Sequence, residues 1–423
     1  MYRLSNTIRD YHWGSETAIA NLLGIAATGA PAAEMWIGAH PDSPSIASHP
    51  QHGGSIALDG LVAGDPERFL GEEVSGRYGK LPFLAKILAA DQPLSLQVHP
   101  TPDQARAGFA AEEAAGIERT SAHRNYKDDN HKPEVLFPLT EFSVLCGFRD
   151  AAASAALFTW LADTIESDPE ITDAEGRAVA TARHTAATLA QDDLRGAFTD
   201  LLSGGADVVR LVGLAADVVS CGRHEVGDPG LAELESLAGF YPGDPGVLVS
   251  LMLNHLTLQP GEAVYLPAGN IHSYLRGLGV EVMASSDNVL RGGLTSKHID
   301  LPELMDTVDF TSLGVPYLEA EEGMLGQEIY RPPFDEFQLQ RIELAGPAEP
   351  GPAMAGNDVA VAQNGPVTVI CVAGELLLDS PQGDLRLIRG ESVFIPASEA
   401  PVVAKHQGGG PALAFAVTTS ERS

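Results

Sequence analysis

Short apolar runs bounded by proline, glycine and polar residues punctuate the first 148 residues. The clearest are Leu81-Pro-Phe-Leu-Ala-Lys-Ile-Leu88, Leu94-Ser-Leu-Gln-Val-His99 and Glu134-Val-Leu-Phe137. Runs of about four to eight residues between turn formers fit buried strands. The pattern changes at Asp150. From there to about Ala238 the chain is rich in Ala, Leu and Asp, with few β-branched clusters. Apolar side chains recur at helical spacing in Ala151–Ile165 and again in Arg177–Leu202, which predicts a helical block set between β-rich parts. After Tyr241-Pro-Gly-Asp244 a helical turn is expected to lead into Leu251–Leu258, where strand character returns.

An internal repeat follows. Leu258-Gln-Pro-Gly-Glu-Ala-Val-Tyr-Leu-Pro-Ala-Gly269 aligns with Leu387-Ile-Arg-Gly-Glu-Ser-Val-Phe-Ile-Pro-Ala-Ser398. Each copy reads as strand, tight Gly-Glu turn, strand, Pro-Ala turn, which resembles the second half of a cupin, a small antiparallel jelly roll. The expected fold is mainly β: two cupin-like antiparallel jelly-roll barrels with an α-helical insertion domain. Residues 1–149 and 245–320 would form a catalytic cupin domain, 150–244 the helical insertion, and 321–423 a C-terminal cupin-like domain. The copies differ where it matters for chemistry. His272 of the first corresponds to Pro401 of the second, so a metal site in the first barrel would have no counterpart in the second.

Charge narrows the partners. With 57 acidic and 26 basic residues the net charge is −31, which repels phosphate backbones and anionic lipid. Neither nucleic acid nor a membrane is expected as a partner, and no uncharged apolar run reaches the roughly 18 residues of a span. Cys146, Cys221 and Cys371 lie far apart with no CxxC pair, which fits a reducing compartment. The opening Met-Tyr-Arg-Leu-Ser-Asn-Thr-Ile lacks the apolar centre of a signal peptide. A cytoplasmic location is expected, and the oligomeric state stays open.

Gln97 and His99 sit two apart on an expected strand, so both side chains can share one face. Glu134 opens a second strand and His272 a third. Two imidazoles, a carboxylate and an amide oxygen suit a borderline divalent ion, zinc above all. Spacing alone carries little weight here, because a single His-x-Gln on a strand is more often simply packed.

Family resemblance adds the weight. The chain resembles the type I mannose-6-phosphate isomerases (phosphomannose isomerases) over nearly its whole length. The matching segments are Tyr11-His-Trp-Gly-Ser15, Ala33-Glu-Met-Trp-Ile-Gly-Ala-His40, Leu81-Pro-Phe-Leu-Ala-Lys86 and Leu94-Ser-Leu-Gln-Val-His-Pro100. Tyr126-Lys-Asp-Asp-Asn-His-Lys-Pro-Glu134 and Glu281-Val-Met-Ala-Ser-Ser-Asp-Asn-Val-Leu-Arg-Gly-Gly-Leu-Thr-Ser-Lys297 complete the set. The resemblance implies one zinc ion per chain on Gln97, His99, Glu134 and His272, with Arg291 as the catalytic arginine. Two departures are visible. Ile271 stands where the family commonly has proline, and Asp128-Asp129 stand where many members have a proline, a loop change with no obvious chemical consequence.

The implied reaction interconverts mannose 6-phosphate and fructose 6-phosphate, through a cis-enediol after ring opening. It would serve carbohydrate metabolism, including GDP-mannose biosynthesis. Glu281 is the candidate base that moves the C2 proton to C1, with Asp287 as runner-up or orienting group. Arg291 would face the developing oxyanion. Lys86, Lys132 and Lys297, with the Ser95 hydroxyl, are candidates for the phosphate. His12, His40 and His131 are expected to be structural. Two other classes compete: a metal-dependent cupin oxygenase, whose ligand set is two histidines and a carboxylate, and a non-catalytic sugar-binding cupin. The glutamine ligand and the retention of Glu281 and Arg291 count against both.

Overall fold

The computed structural model describes residues 1–49, 53–221, 227–323, 326–346 and 358–420. Among these, three antiparallel sheets of nine, eleven and four strands are joined by twelve α-helices and a few single turns. No helix among the described residues is long and apolar enough to cross a membrane.

One long strand organises the largest sheet. His272–Ala284 pairs with Phe83–Ala90, Glu134–Pro138, Phe142–Phe148 and Gln97–Val98. Its register sets Glu281 opposite Lys86, Met283 opposite Glu134, and His272 opposite Gln97. All eight residues of Phe83–Ala90 and all five of Glu134–Pro138 are buried, as their apolar runs require. Strict alternation would put His272 and Glu281 on opposite faces, since they are an odd number of residues apart. The register shifts between Tyr274 and Arg276, and Gly277 follows at φ +143°. This irregularity resets the alternation, so both residues line one cavity. A Cβ on Gly277 would lie 2.5 Å from the Phe142 ring, so only glycine fits there.

The helical block packs behind these strands. Ala151–Glu166 starts on an Asp150 cap, whose carboxylate accepts from Ala153 N at 2.9 Å. Asp173–Leu189 starts on a Thr172/Glu175 capping box. The periodic stretch Arg177–Leu202 is divided, because Asp192 turns at φ +62° and Asp193 then caps a new helix, Leu194–Leu202. The helices share one core with Leu96, Val98, Ile271 and Leu290, which flank the site residues. Ile271, the departure from proline, fills space there at 1 % exposure. Phe198 is fully buried, 5.9 Å from the Phe148 ring and 5.4 Å from that of Phe310. Phe198→Ala is expected to lower stability by about 3–5 kcal/mol through the cavity it leaves. An unchanged urea midpoint would show that this layer contributes no core.

The two repeat copies have the same turn. Gly261 and Gly390 both take positive φ, at +98° and +88°. Glu262 Oε2 accepts from Gln259 N at 2.7 Å, and Glu391 Oε2 accepts from Ile388 N at 3.1 Å. Each glutamate closes its own turn, which explains why Gly-Glu recurs. The second copy spans two sheets: its first strand, Leu385–Ile388, lies in the four-stranded sheet, and Ser392–Ile395 lies in the nine-stranded sheet, paired with Tyr2–Ser5. Ile46–Ser48 and Ser55–Ala57 extend that same sheet. The first sixty residues therefore contribute strands to both large sheets, and a cut at residue 320 does not separate them.

Candidate active site

Glu134, first residue of its strand, lies between two histidines. Its Oε1 is 3.4 Å from His99 Nε2 and its Oε2 is 3.3 Å from His272 Nε2. All three side chains are buried, with ligand atoms within 4.8 Å of one another. His99 Nδ1 donates to the Asn288 carbonyl at 2.7 Å, and His272 Nδ1 donates to the Asn270 carbonyl at 3.0 Å. Each ring therefore turns a bare Nε2 lone pair toward the carboxylate. His99 Nε2 is buried with no hydrogen-bond partner. An orphaned imidazole nitrogen facing a second imidazole and a carboxylate is the donor set of a divalent metal. Burial pushes His99 down to about 4, which keeps the ring neutral, as a ligand must be. Burial pushes the Glu134 carboxyl upward, but the adjacent Lys132 ammonium opposes it and the pKa lies well below the ordinary value. Gln97, paired opposite His272, lines both cavities described next.

Beside this group lies a small cavity of about 40 Å³, lined by Lys86, Lys132, Tyr274 and Glu281 among others. A larger one of about 320 Å³ shares Glu34, Lys86, Leu94, Gln97 and Lys132 with it. The larger cavity is also lined by Ser95, Asp287, Arg291 and Lys297. The chain brings every site residue named from the sequence to one or the other cavity, except His99, which is wholly enclosed behind them.

The lysines divide into two kinds. Lys86 donates to Glu281 Oε2 at 2.8 Å and lies 3.6 Å from Glu34 Oε1. Burial alone would discharge it, but the two carboxylates hold its pKa above the ordinary value. Lys132 pairs with Glu134 Oε1 at 2.9 Å. Both are thus neutralised. Lys297 and Arg291 make no ion pair or side-chain hydrogen bond among the described residues. Burial, together with the nearby charges of Arg291 and Lys127, lowers the Lys297 pKa. Lys127, Arg291 and Lys297 thus bring positive charge without an ion-pair partner among the described residues to one cavity of a strongly acidic chain.

Burial raises the Glu281 pKa, with Lys86 opposing and Glu134 and Glu34 adding to the shift. Asp287 is held differently, 3.1 Å from Arg119 Nη2 and 3.6 Å from His40 Nε2. His131 Nε2 meets Glu336 at 2.8 Å, away from the cavities, whereas His12 lines the larger one.

Glu34, Trp36, Lys127, Tyr241 and Tyr274 line the site without having been singled out. Glu34 accepts from Trp36 Nε1 at 2.6 Å, and both fall in the Ala33–His40 segment already marked by its motif. Tyr274, two residues after His272, could have been found by alternation. Tyr241 ends a helix of the central block, and no local signal marks it.

Comparison with known proteins agrees with this geometry. Residues 1–151 match the family described as phosphomannose isomerase type I, catalytic domain. The mannose-6-phosphate isomerase of Escherichia coli is 37% identical over 414 residues, covering 96% of this chain and 98% of that one. The human mannose-6-phosphate isomerase is 31% identical over 436 residues, covering 94% of each. A crystal structure of mannose 6-phosphate isomerase bound with zinc and yttrium superposes with a TM-score of 0.84 at 36% identity, covering 99% of this chain and 100% of that one. A mutant phosphomannose isomerase from Salmonella typhimurium gives 0.85 at 35% identity, covering 100% of both. Identity of this order, sustained along the length of both partners and across a shared fold, means that the chain belongs to the type I mannose-6-phosphate isomerase (phosphomannose isomerase) family.

Proposed function

We propose that this chain is a zinc-dependent aldose–ketose isomerase that interconverts mannose 6-phosphate and fructose 6-phosphate. The observation that carries the reading is the buried His99–Glu134–His272 group, with its orphaned nitrogen, beside a cavity lined by Lys127, Arg291 and Lys297, which have no ion-pair partner among the described residues. Gln97, His99, Glu134 and His272 are assigned as the residues that hold one zinc ion. When bound, zinc supplies positive charge that polarises or anchors the sugar oxygens.

The chain's own residues do the rest. Arg291, Lys297 and Lys127, with the Ser95 hydroxyl, are assigned to the anionic parts of the substrate: the phosphate at the cavity mouth and, for Arg291, the oxygen that becomes negative. Lys86 and Lys132 serve better as partners of Glu281 and Glu134 than as phosphate ligands, because each already has a carboxylate. In the open-chain aldose, the Glu281 carboxylate takes the C2 proton and the electron pair left behind forms the enediol double bond. The carbonyl pair moves onto O1, the C2 hydroxyl proton passes to O1 as the C2–O2 carbonyl forms, and the same carboxylic acid returns its proton to C1, giving the ketose. Burial suits Glu281 to this, since a raised pKa makes a carboxylate a stronger base. Asp287, tied to Arg119 and His40, is assigned an orienting role.

The jelly-roll description belongs to the same reading. Residues 1–149 and 245–320 are taken as a catalytic cupin barrel interrupted by the helices of 150–244, and 321–423 as a second barrel without a metal site, completed by early strands. A cytoplasmic location fits a phosphosugar substrate.

A coupled assay on purified, zinc-loaded protein tests the proposal. Isomerase activity is expected with about one zinc per chain, lost on chelation and restored by zinc. Full activity in a metal-free preparation would overturn the zinc assignment, and no turnover in the loaded protein would overturn the reaction.

A further inference from the structure

One fully buried amide joins the two halves of this site. Asn288 lies in the loop after Ala284 and has no exposed surface. Its backbone carbonyl is the group that takes the His99 Nδ1 proton at 2.7 Å. Its side chain reads the main chain of the facing loop. Oδ1 accepts from Lys127 N at 2.7 Å and Asp128 N at 3.2 Å. Nδ2 donates to the carbonyls of Asp128 and Asn130, each at 2.8 Å. Every proton and lone pair of the amide is engaged. Asp128 returns the contact, because its Oδ1 accepts from Ser286 Oγ at 2.7 Å and its Oδ2 from Asp287 N at 2.8 Å. The Asp128 carboxylate therefore bonds the loop that carries Lys127 to the loop that orients His99.

We infer that Asn288 and Asp128 are positioning residues that couple the orientation of the His99 imidazole to the placement of Lys127 in the lining of the larger cavity. Neither has a place in the chemistry itself. Asn288 acts through its carbonyl on the tautomer and angle of His99, and through its amide on the Lys127 backbone. Asp128 holds the Lys127 loop against Ser286 and Asp287, whereas the partner of His99 Nδ1 is the Asn288 carbonyl. The inference rests on the proposed roles of His99 as a metal ligand and Lys127 as a substrate contact.

Asn288→Ala is expected to weaken zinc binding about 10–100-fold in competition with a chromogenic chelator, the usual consequence of losing a ligand's outer hydrogen-bond partner geometry. It should also raise KM for mannose 6-phosphate. In the metal-free protein, nitrogen NMR of His99 should report a bare Nε2 in the parent chain and a tautomer mixture in the variant. Asp128→Ala is expected to raise KM and the inhibition constant of inorganic phosphate, while zinc affinity stays within about twofold and kcat changes little. Where the alanine variant of Asn288 does not fold, Asn288→Asp keeps its volume and its Oδ1 acceptor, removes the two donors, and carries the same expectation. A lowered melting temperature with unchanged zinc affinity, tautomer and KM would overturn the inference and leave the amide a purely structural brace. Zinc affinity and tautomer are read without turnover, so an inactive parent protein would sink the proposed reaction and leave this test intact.

Discussion

Glu281→Gln is expected to bind the sugar phosphate and yet to isomerise it at least about a hundredfold more slowly, because general acid–base catalysis typically contributes 10²–10⁴ in rate. The substitution keeps the shape of the side chain and an oxygen that can still accept from Lys86, which lies 2.8 Å away. What disappears is the basic site. Lys86 retains Glu34 as a second partner at 3.6 Å, so the buried ammonium is not left bare and the fold should survive. Isomerisation in deuterated water distinguishes the mechanisms. A proton lifted onto the Glu281 carboxylate can exchange before it is returned, so the parent protein should place solvent deuterium in the product, with part of the substrate hydrogen retained. The variant should lose turnover and exchange together. Complete internal transfer with no solvent label in the parent protein would indicate a hydride shift and remove the base. A variant that still turns over and exchanges would move the role to another group, with Asp287 first in line.

Some of this site could be read directly from the sequence, for reasons of burial and local turn chemistry. Phe83–Ala90 and Glu134–Pro138 are short, apolar and bounded by turns, and such runs have few alternatives to a buried strand. The Gly-Glu repeat was legible because its glutamate bonds within four residues, so sequence neighbours contain the whole device. Lys86, a phosphate candidate in the sequence, is paired with Glu281 in the structure, and the signal for that pairing was present. A lysine inside a fully apolar strand must have a carboxylate nearby, and the strand register supplies Glu281 opposite. The shift at Tyr274 and Arg276 was out of reach, since a bulge is defined by the partner strand. Asp128 was out of reach for a similar reason. Its acceptors face residues about 160 positions away in the chain, and nothing adjacent marks it.

Arg291→Ala is the complementary expectation: zinc stays bound and turnover falls by about a hundred- to a thousandfold. That is the usual loss of roughly 2.7–4 kcal/mol when one preorganised donor to a developing oxyanion is removed. The geometry gives the reason. Arg291 pairs opposite Gln97 in the short ladder of Leu290–Arg291 with Gln97–Val98, so its backbone is fixed beside the proposed metal-holding residues. From behind, that ladder is braced by the helical block, whose Phe198 ring would be 3.5 Å from a Cβ built on Gly292. The guanidinium itself has no carboxylate partner among the described residues, and burial lowers its pKa without neutralising it. A charge held on a rigid strand, partly desolvated and unpaired, is positioned in advance for an anion that forms during the reaction. Removing it leaves the His99–Glu134–His272 group untouched, which is why metal content should not change. Arg291→Lys keeps the charge but not the planar fork, and should recover only part of the rate. Turnover, KM and zinc content measured together separate the cases. A raised KM with normal kcat would make Arg291 a ground-state phosphate contact, and near-normal values of both would take it out of the catalytic assignment altogether.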